Sequence, residues 1–91
     1  MKYRSRMDIV AAILEIAHDG TIKTKIMYNA SLSFTQLKEY LALMLGRGLL
    51  KYSKEEKKYT TTERGMHFLK MYREVGRIIA PKRSRLKTMQ V

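Results

Sequence analysis

No stretch of this chain restricts the fold as tightly as residues 31–37, which read Ser-Leu-Ser-Phe-Thr-Gln-Leu. Ser33, followed three residues later by Gln36, makes a capping box in which each side chain satisfies an orphan backbone amide of a starting helix. Leu32 before the cap and Leu37 after it add a hydrophobic staple, which sets the angle at which the chain enters that helix. Upstream, Ile26, Met27 and Ala30 recur at helical spacing and predict a short helix over 23–29. Two helices meeting at so tight a turn must bury a face each in one core.

The flanking segments extend this pair. Ser5 is placed to cap a first helix with Asp8 at its third position, and Met7, Val10, Ile13, Leu14 and Ala17 trace its apolar stripe toward Gly20, a left-handed stop. Thr21 and Ile22 suffice only for a bridging strand. Beyond the turn, Phe34, Leu37, Leu41, Met44 and Leu45 supply the buried face of a helix over 33–47, closed by Gly48. Residues 49–53 and 57–61 then form a hairpin with Tyr52 and Tyr59 as strand formers, joined by the polar, exposed run Lys54-Glu55-Glu56-Lys57.

A last helix begins near Thr62, has Glu63 in its first turn, and runs over 62–80 until Pro81 stops it. The order of elements predicts a mainly α fold with a small β-hairpin, a winged helix-turn-helix with an extended C-terminal helix. A single domain spans 1–80 and a basic flexible tail spans 81–91. The last helix carries a broad apolar band of Phe68, Met71, Tyr72, Val75, Ile78 and Ile79. Within it Phe68, Tyr72, Val75 and Ile79 fall at alternating four- and three-residue steps, as in a coiled-coil seam. Two outcomes are open: self-association as a homodimer, or packing against the first helix of the same chain. The breadth of the band, more than so small a core is expected to cover, favours the homodimer, while Gly76 and the shortness of the seam keep the second as the alternative.

Nineteen Lys and Arg face eight Asp and Glu, a net charge of +11. In a chain of 91 residues, that surplus favours a polyanionic partner through counterion release. The cations gather at Lys2, Arg4 and Arg6, on the hairpin at Lys51, Lys54, Lys57 and Lys58, and in the tail at Lys82, Arg83, Arg85 and Lys87. With no cysteine there are neither disulfides nor thiolate ligands. No apolar run approaches the ~20 residues of a membrane span, and residues 1–10 lack the apolar core of a signal peptide. The expected location is cytoplasmic and nucleoid-associated.

The run KTKIMYNASLS at Lys23 to Ser33, QLKEYL at Gln36 to Leu41 and YTTTERG at Tyr59 to Gly65 resembles a small archaeal winged-helix family of predicted transcriptional regulators. The resemblance extends from about Ile9 to Tyr72. The chain is similar also to the small archaeal chromatin-associated winged-helix proteins, which pair through a long C-terminal helix, although its own last helix is shorter and interrupted by Gly76.

These resemblances imply binding of double-stranded DNA by a regulator, with a sequence-tolerant chromatin protein as the alternative. Side chains near the start of a recognition helix face base edges in the major groove. Off the buried stripe at 33–47 stand Thr35, Gln36, Lys38, Glu39 and Tyr40, with Ala42 and Arg47 further along. Gln36 has two roles open, adenine pairing or the capping box, and the box claims it first. Thr35, Lys38 and Glu39 are then the groove candidates, while Tyr40 is equally readable as an edge of the core. Lys23, Lys25, Tyr28, Ser31 and Ser33 are placed to touch phosphates, which position a protein without reading sequence. Lys54, Lys57 and Lys58 would put the wing on the backbone or minor groove, and Arg64 follows it.

Other classes have less support. His18 and His67 lie on different helices without a second ligand at metal spacing, and Ser33 lacks nucleophile-elbow glycines, so the sequence offers no catalytic residue, metal site or cofactor. No small-molecule ligand is evident. RNA binding is disfavoured by the want of an exposed aromatic platform, because Phe34 and Phe68 both read as buried. A protein-interaction module would not require the clustered charge.

Overall fold

The computed structural model describes residues 4–79. These form α1 (Arg6–Ile16), α2 (Lys23–Asn29), α3 (Phe34–Gly46), β1 (Leu50–Ser53), β2 (Lys58–Thr61) and α4 (Glu63–Ile79). Four helices and a two-stranded antiparallel hairpin make a winged helix-turn-helix with a C-terminal helix, the architecture expected from the sequence. The expected stop at Pro81 and the basic tail lie outside the described residues.

Local chemistry explains where the helices begin. Ser5 Oγ accepts from the Asp8 amide at 3.1 Å while Asp8 Oδ2 accepts from the Ser5 amide at 3.0 Å. Ser33 Oγ likewise accepts from the Gln36 amide at 3.1 Å, and Gln36 Oε1 from the Ser33 amide at 3.0 Å. The staple residues Leu32 and Leu37 are both buried. A cap of this kind is worth about 1 kcal/mol. Thr62 caps α4, its hydroxyl accepting from the Gly65 amide at 3.0 Å and donating to the Gly48 carbonyl at 2.6 Å.

The ends are equally specific. The turn between α2 and α3 closes through the Ser31 amide to the Tyr28 carbonyl and the Leu32 amide to the Met27 carbonyl, with Ser31 itself left-handed at φ 57°. Gly48, at φ 75°, ends α3 by the same double closure onto Leu45 and Met44. α1, by contrast, stops at Ile16 and not at Gly20. Gly20 instead directs the chain into a bridge in which the Thr21 and Tyr59 backbones exchange hydrogen bonds of 2.9 and 2.7 Å. The hairpin pairs Leu50 with Thr61 and Ser53 with Lys58. Its strands therefore start one residue later than expected, because Lys57 takes a left-handed φ of 55° to close the four-residue turn.

The core joins Ile13 and Leu14 of α1, Ile26 of α2, Leu37 and Met44 of α3 and Leu69 of α4, all fully buried. Each such side chain contributes roughly 1.5–3 kcal/mol. Leu69 is absent from the apolar band read on the last helix, yet it anchors that helix. Conversely Met7, Phe34 and Leu45, expected inside, are exposed. Met7 and Phe34 stand in the first turn of their helices, where the stripe has rotated away from the core, and Leu45 stands in the last turn of α3 beside the buried Met44. Tyr40, for which two readings were open, is buried, with the Arg6 guanidinium 5.5 Å from its ring centroid.

α4 lies against α1 through the Tyr72 hydroxyl, which donates to Asp8, and through Arg73 Nη2, 2.7 Å from Glu15 Oε2. The bond from Tyr72, with those from Ser5, holds the Asp8 carboxyl below its ordinary value of 3.8. The same bond holds the Tyr72 phenol above its ordinary value. A carboxyl with a depressed folded pKa adds stability that is fully present above the unfolded value and is lost as pH falls through the folded one. Wild type is thus expected to exceed Asp8→Asn in urea stability at about pH 7, with the gap narrowing as the pH falls below the ordinary carboxyl value of 3.8. A gap that persists unchanged in acid would remove Asp8 from this role.

Candidate nucleic-acid interface

Burial of Leu37, Tyr40, Leu41 and Met44 fixes how α3 is rotated. The opposite side exposes Thr35, Glu39, Ala42 and Gly46, with Lys38 at its margin. An added Cβ at Gly46 would meet nothing within 4 Å. The outer face of α3 is thus narrow, polar at its N-terminal half and nearly bare at its C-terminal half, a shape that can approach a groove floor closely.

The sequence candidates separate into two groups. Thr35, Lys38 and Glu39 share the outer part of α3, while Lys23 at the start of α2 faces Phe34 and Lys38 of α3 and Tyr59 of the hairpin across one shallow cavity. Lys57 joins Lys23 across a second cavity beside it. Lys25, Lys54 and Lys58 are exposed, as are Ser31, Ser33 and Tyr28, the last at 75%. Gln36 is committed to its cap through Oε1, the atom that would accept from adenine in a bidentate pair. Arg47 and Arg64 are set apart from this group. Arg47 borders Arg6 and Met7 beside α1, and Arg64 borders His67 and Met71 on α4.

Among the described residues, the ion pairs involving lysine or arginine are Arg73 with Glu15 and Arg77 with Glu74. None of the lysines on α2, α3 or the wing takes part, so their charge is available to an external anion. His18 Nδ1 sits 2.9 Å from Asp19 Oδ1 in the turn after α1, while His67 is exposed on α4. No helix among the described residues is long and apolar enough to cross a membrane.

Of the four seam residues, Phe68 and Tyr72 are half-buried against their own core, whereas Val75 and Ile79 are exposed. Met71 and Ile78 are exposed beside them, Ile78 at 78%. The bare apolar strip is therefore Met71, Val75, Ile78 and Ile79, rotated from the seam read in the sequence. The rotation follows from Leu69 and Tyr72 turning toward α1.

Two aromatic residues beside the candidate interface have no binding role in the sequence analysis. Phe34 is 57% exposed, with Lys38 Nζ 5.5 Å from its ring centroid. Tyr52 is 43% exposed and its ring centroid lies 4.6 Å from that of Tyr59. Phe34 falls outside the stripe once that stripe is centred on Leu37, Tyr40, Leu41 and Met44, a signal present in the spacing. Nothing local marks Tyr52.

A helix-turn-helix pair followed by a hairpin wing and a closing helix defines a class, and the family model described as winged helix-turn-helix matches residues 3–80. The chain belongs to that family. An uncharacterized protein of Methanocaldococcus jannaschii is 36% identical over 63 residues, which make up 68% of this chain and 63% of that protein. The chain thus spans less than two thirds of the length of this curated relative. The crystal structure of Sso10a-2, a DNA-binding protein from Sulfolobus solfataricus, matches with a TM-score of 0.75 at 24% identity, covering 96% of this chain and 90% of that one. That likeness establishes the shared fold.

Proposed function

We propose that this protein binds duplex DNA as a transcriptional regulator, setting the N-terminal part of α3 into the major groove and laying its basic wing on the backbone or minor groove. The observation that carries this reading is the outer face of α3, where Thr35, Lys38 and Glu39 stand clear of the core beside lysines that make no ion pair among the described residues. The DNA-binding description of the structural neighbour supports it. The exposed strip of Met71, Val75, Ile78 and Ile79 on α4 supports a homodimer. A two-fold axis would then present two α3 helices to successive major grooves about 34 Å apart.

Lys38 and Lys54 separate base reading from backbone contact. Lys38→Ala is expected to change discrimination between duplex sequences by about 1–3 kcal/mol, and Lys54→Ala to weaken all duplexes alike. Fluorescence anisotropy against a selected site and a scrambled one measures both. Uniform losses from both variants would instead favour a sequence-tolerant chromatin protein. That second reading has its own support in Ala42 and Gly46, which leave the outer face of α3 with few groups that can read a base.

A further inference from the structure

The two cavities beside α3, of about 470 and 270 Å³, share Lys23 and Tyr59 in their linings and lie side by side between the recognition helix and the wing, two adjoining parts of one trough-like surface. Its walls are apolar and aromatic. Phe34 and Leu45 project from α3, Ile22 precedes α2, and Tyr52 and Tyr59 pair on the hairpin. Phe34, Leu45, Ile22 and Tyr52 all remain exposed. Lys23, Lys38 and Lys57 border the trough, and no carboxylate lines either part. The larger part falls within the size range of small-ligand sites, roughly 300–1,000 Å³.

Cations along an aromatic trough match a strand that offers phosphates and bare base faces together. A paired duplex offers only the first, since neighbouring base pairs cover the faces of its bases. Unpaired nucleotides offer both, and base-on-aromatic stacking tolerates any sequence because every base has a π-face. We propose that this trough binds the unpaired nucleotides of single-stranded DNA, with bases on Phe34 and Tyr52 and phosphates on Lys23, Lys38 and Lys57. The choice of DNA over RNA rests on the duplex reading above, because Lys38 and Ala42 of the α3 face assigned there to DNA also line the trough. Thymine adds a methyl group that Ile22 and Leu45 can contact.

The test uses the full chain and four probes in fluorescence anisotropy at one salt concentration. These are a twelve-nucleotide oligothymidylate, an abasic strand of equal length and charge, the matching oligouridylate RNA, and a mixed-sequence duplex. Oligothymidylate is expected to bind about tenfold or more tightly than the abasic strand, since each stacked base alone can supply that factor. Phe34→Leu with Tyr52→Leu keeps apolar bulk but removes both rings, and should erase the preference. Equal affinity of the unmodified protein for the two DNA strands overturns the proposal, because charge alone would then explain binding. Tighter binding of oligouridylate overturns the assignment to DNA. A preference for oligothymidylate with no affinity for the duplex upholds the trough and refutes the duplex reading instead.

Discussion

Gly65→Ala is expected to lower stability by about 3 kcal/mol or more, and Gly65→Val to leave no folded protein at 25 °C. A Cβ at this position would stand 2.5 Å from the Leu49 carbonyl oxygen, 2.7 Å from Thr61 Cγ2 and 3.0 Å from Leu14 Cδ2. The carbonyl cannot retreat, since it accepts from the Thr62 amide at 3.0 Å and so ties the base of the hairpin to the start of α4. Alanine's better helix propensity offsets only about 1 kcal/mol of the clash. For a chain of this size total stability is about 5–14 kcal/mol, and each 1 kcal/mol lost lowers Tm by about 4–8 °C. Gly76→Ala is the matched control, because a Cβ there meets nothing within 4 Å. It should hold Tm or raise it. Thermal melts of Gly65→Ala and Gly76→Ala that coincide would refute this account of the close approach.

The same position shows what a sequence reveals and what it withholds. Tyr59, Thr62 and Gly65 are legible as a spaced motif, but the reason for each is distant in the chain. Tyr59 bridges to Thr21, Thr62 bonds to Gly48, and Gly65 makes room for Leu14 and Leu49. Capping boxes are different. Ser5 with Asp8 and Ser33 with Gln36 act over three residues, so spacing alone locates the helix starts. Periodicity sits between these cases, because it reveals that a helix has an apolar side without fixing which row of it faces inward. Met7 and Phe34 are misread for that reason. On α4, where apolar residues cover more than one face, the inward row of Gly65 and Leu69 is hidden by the wider band around it.

The candidate interface follows the same division. Thr35, Lys38 and Glu39 are legible as the complement of a buried stripe on a single helix. Arg47 and Arg64 look equally plausible in the sequence, yet folding carries them to the side occupied by α1 and α4. The trough joins Ile22, Phe34 and Tyr52 from three separate segments, so only the packing of α2, α3 and the hairpin brings them together. One misread residue changes the functional reading as well. With Phe34 exposed, the objection that an aromatic stacking platform is missing no longer holds.

Duplex affinity is expected to fall by about four orders of magnitude between about 50 and about 200 mM salt, with a log-log slope near −7. The slope counts neutralised phosphates at about 0.9 each, and a homodimer engaging about four per protomer through cations such as Lys23, Lys25, Lys54 and Lys58 reaches about eight. Val75→Asp with Ile79→Asp tests whether two protomers contribute. Both positions are exposed, so the charges leave the core of each protomer intact while disrupting the apolar strip proposed to pair. The folded monomer should bind with a slope of about −3.5 and lose affinity at every salt concentration, because one half no longer raises the effective concentration of the other. Sedimentation reports the oligomeric state and circular dichroism the fold. An unchanged slope in the double variant would mean that α4 does not pair the DNA-binding units, and a slope near zero in the wild type would end the nucleic-acid reading altogether.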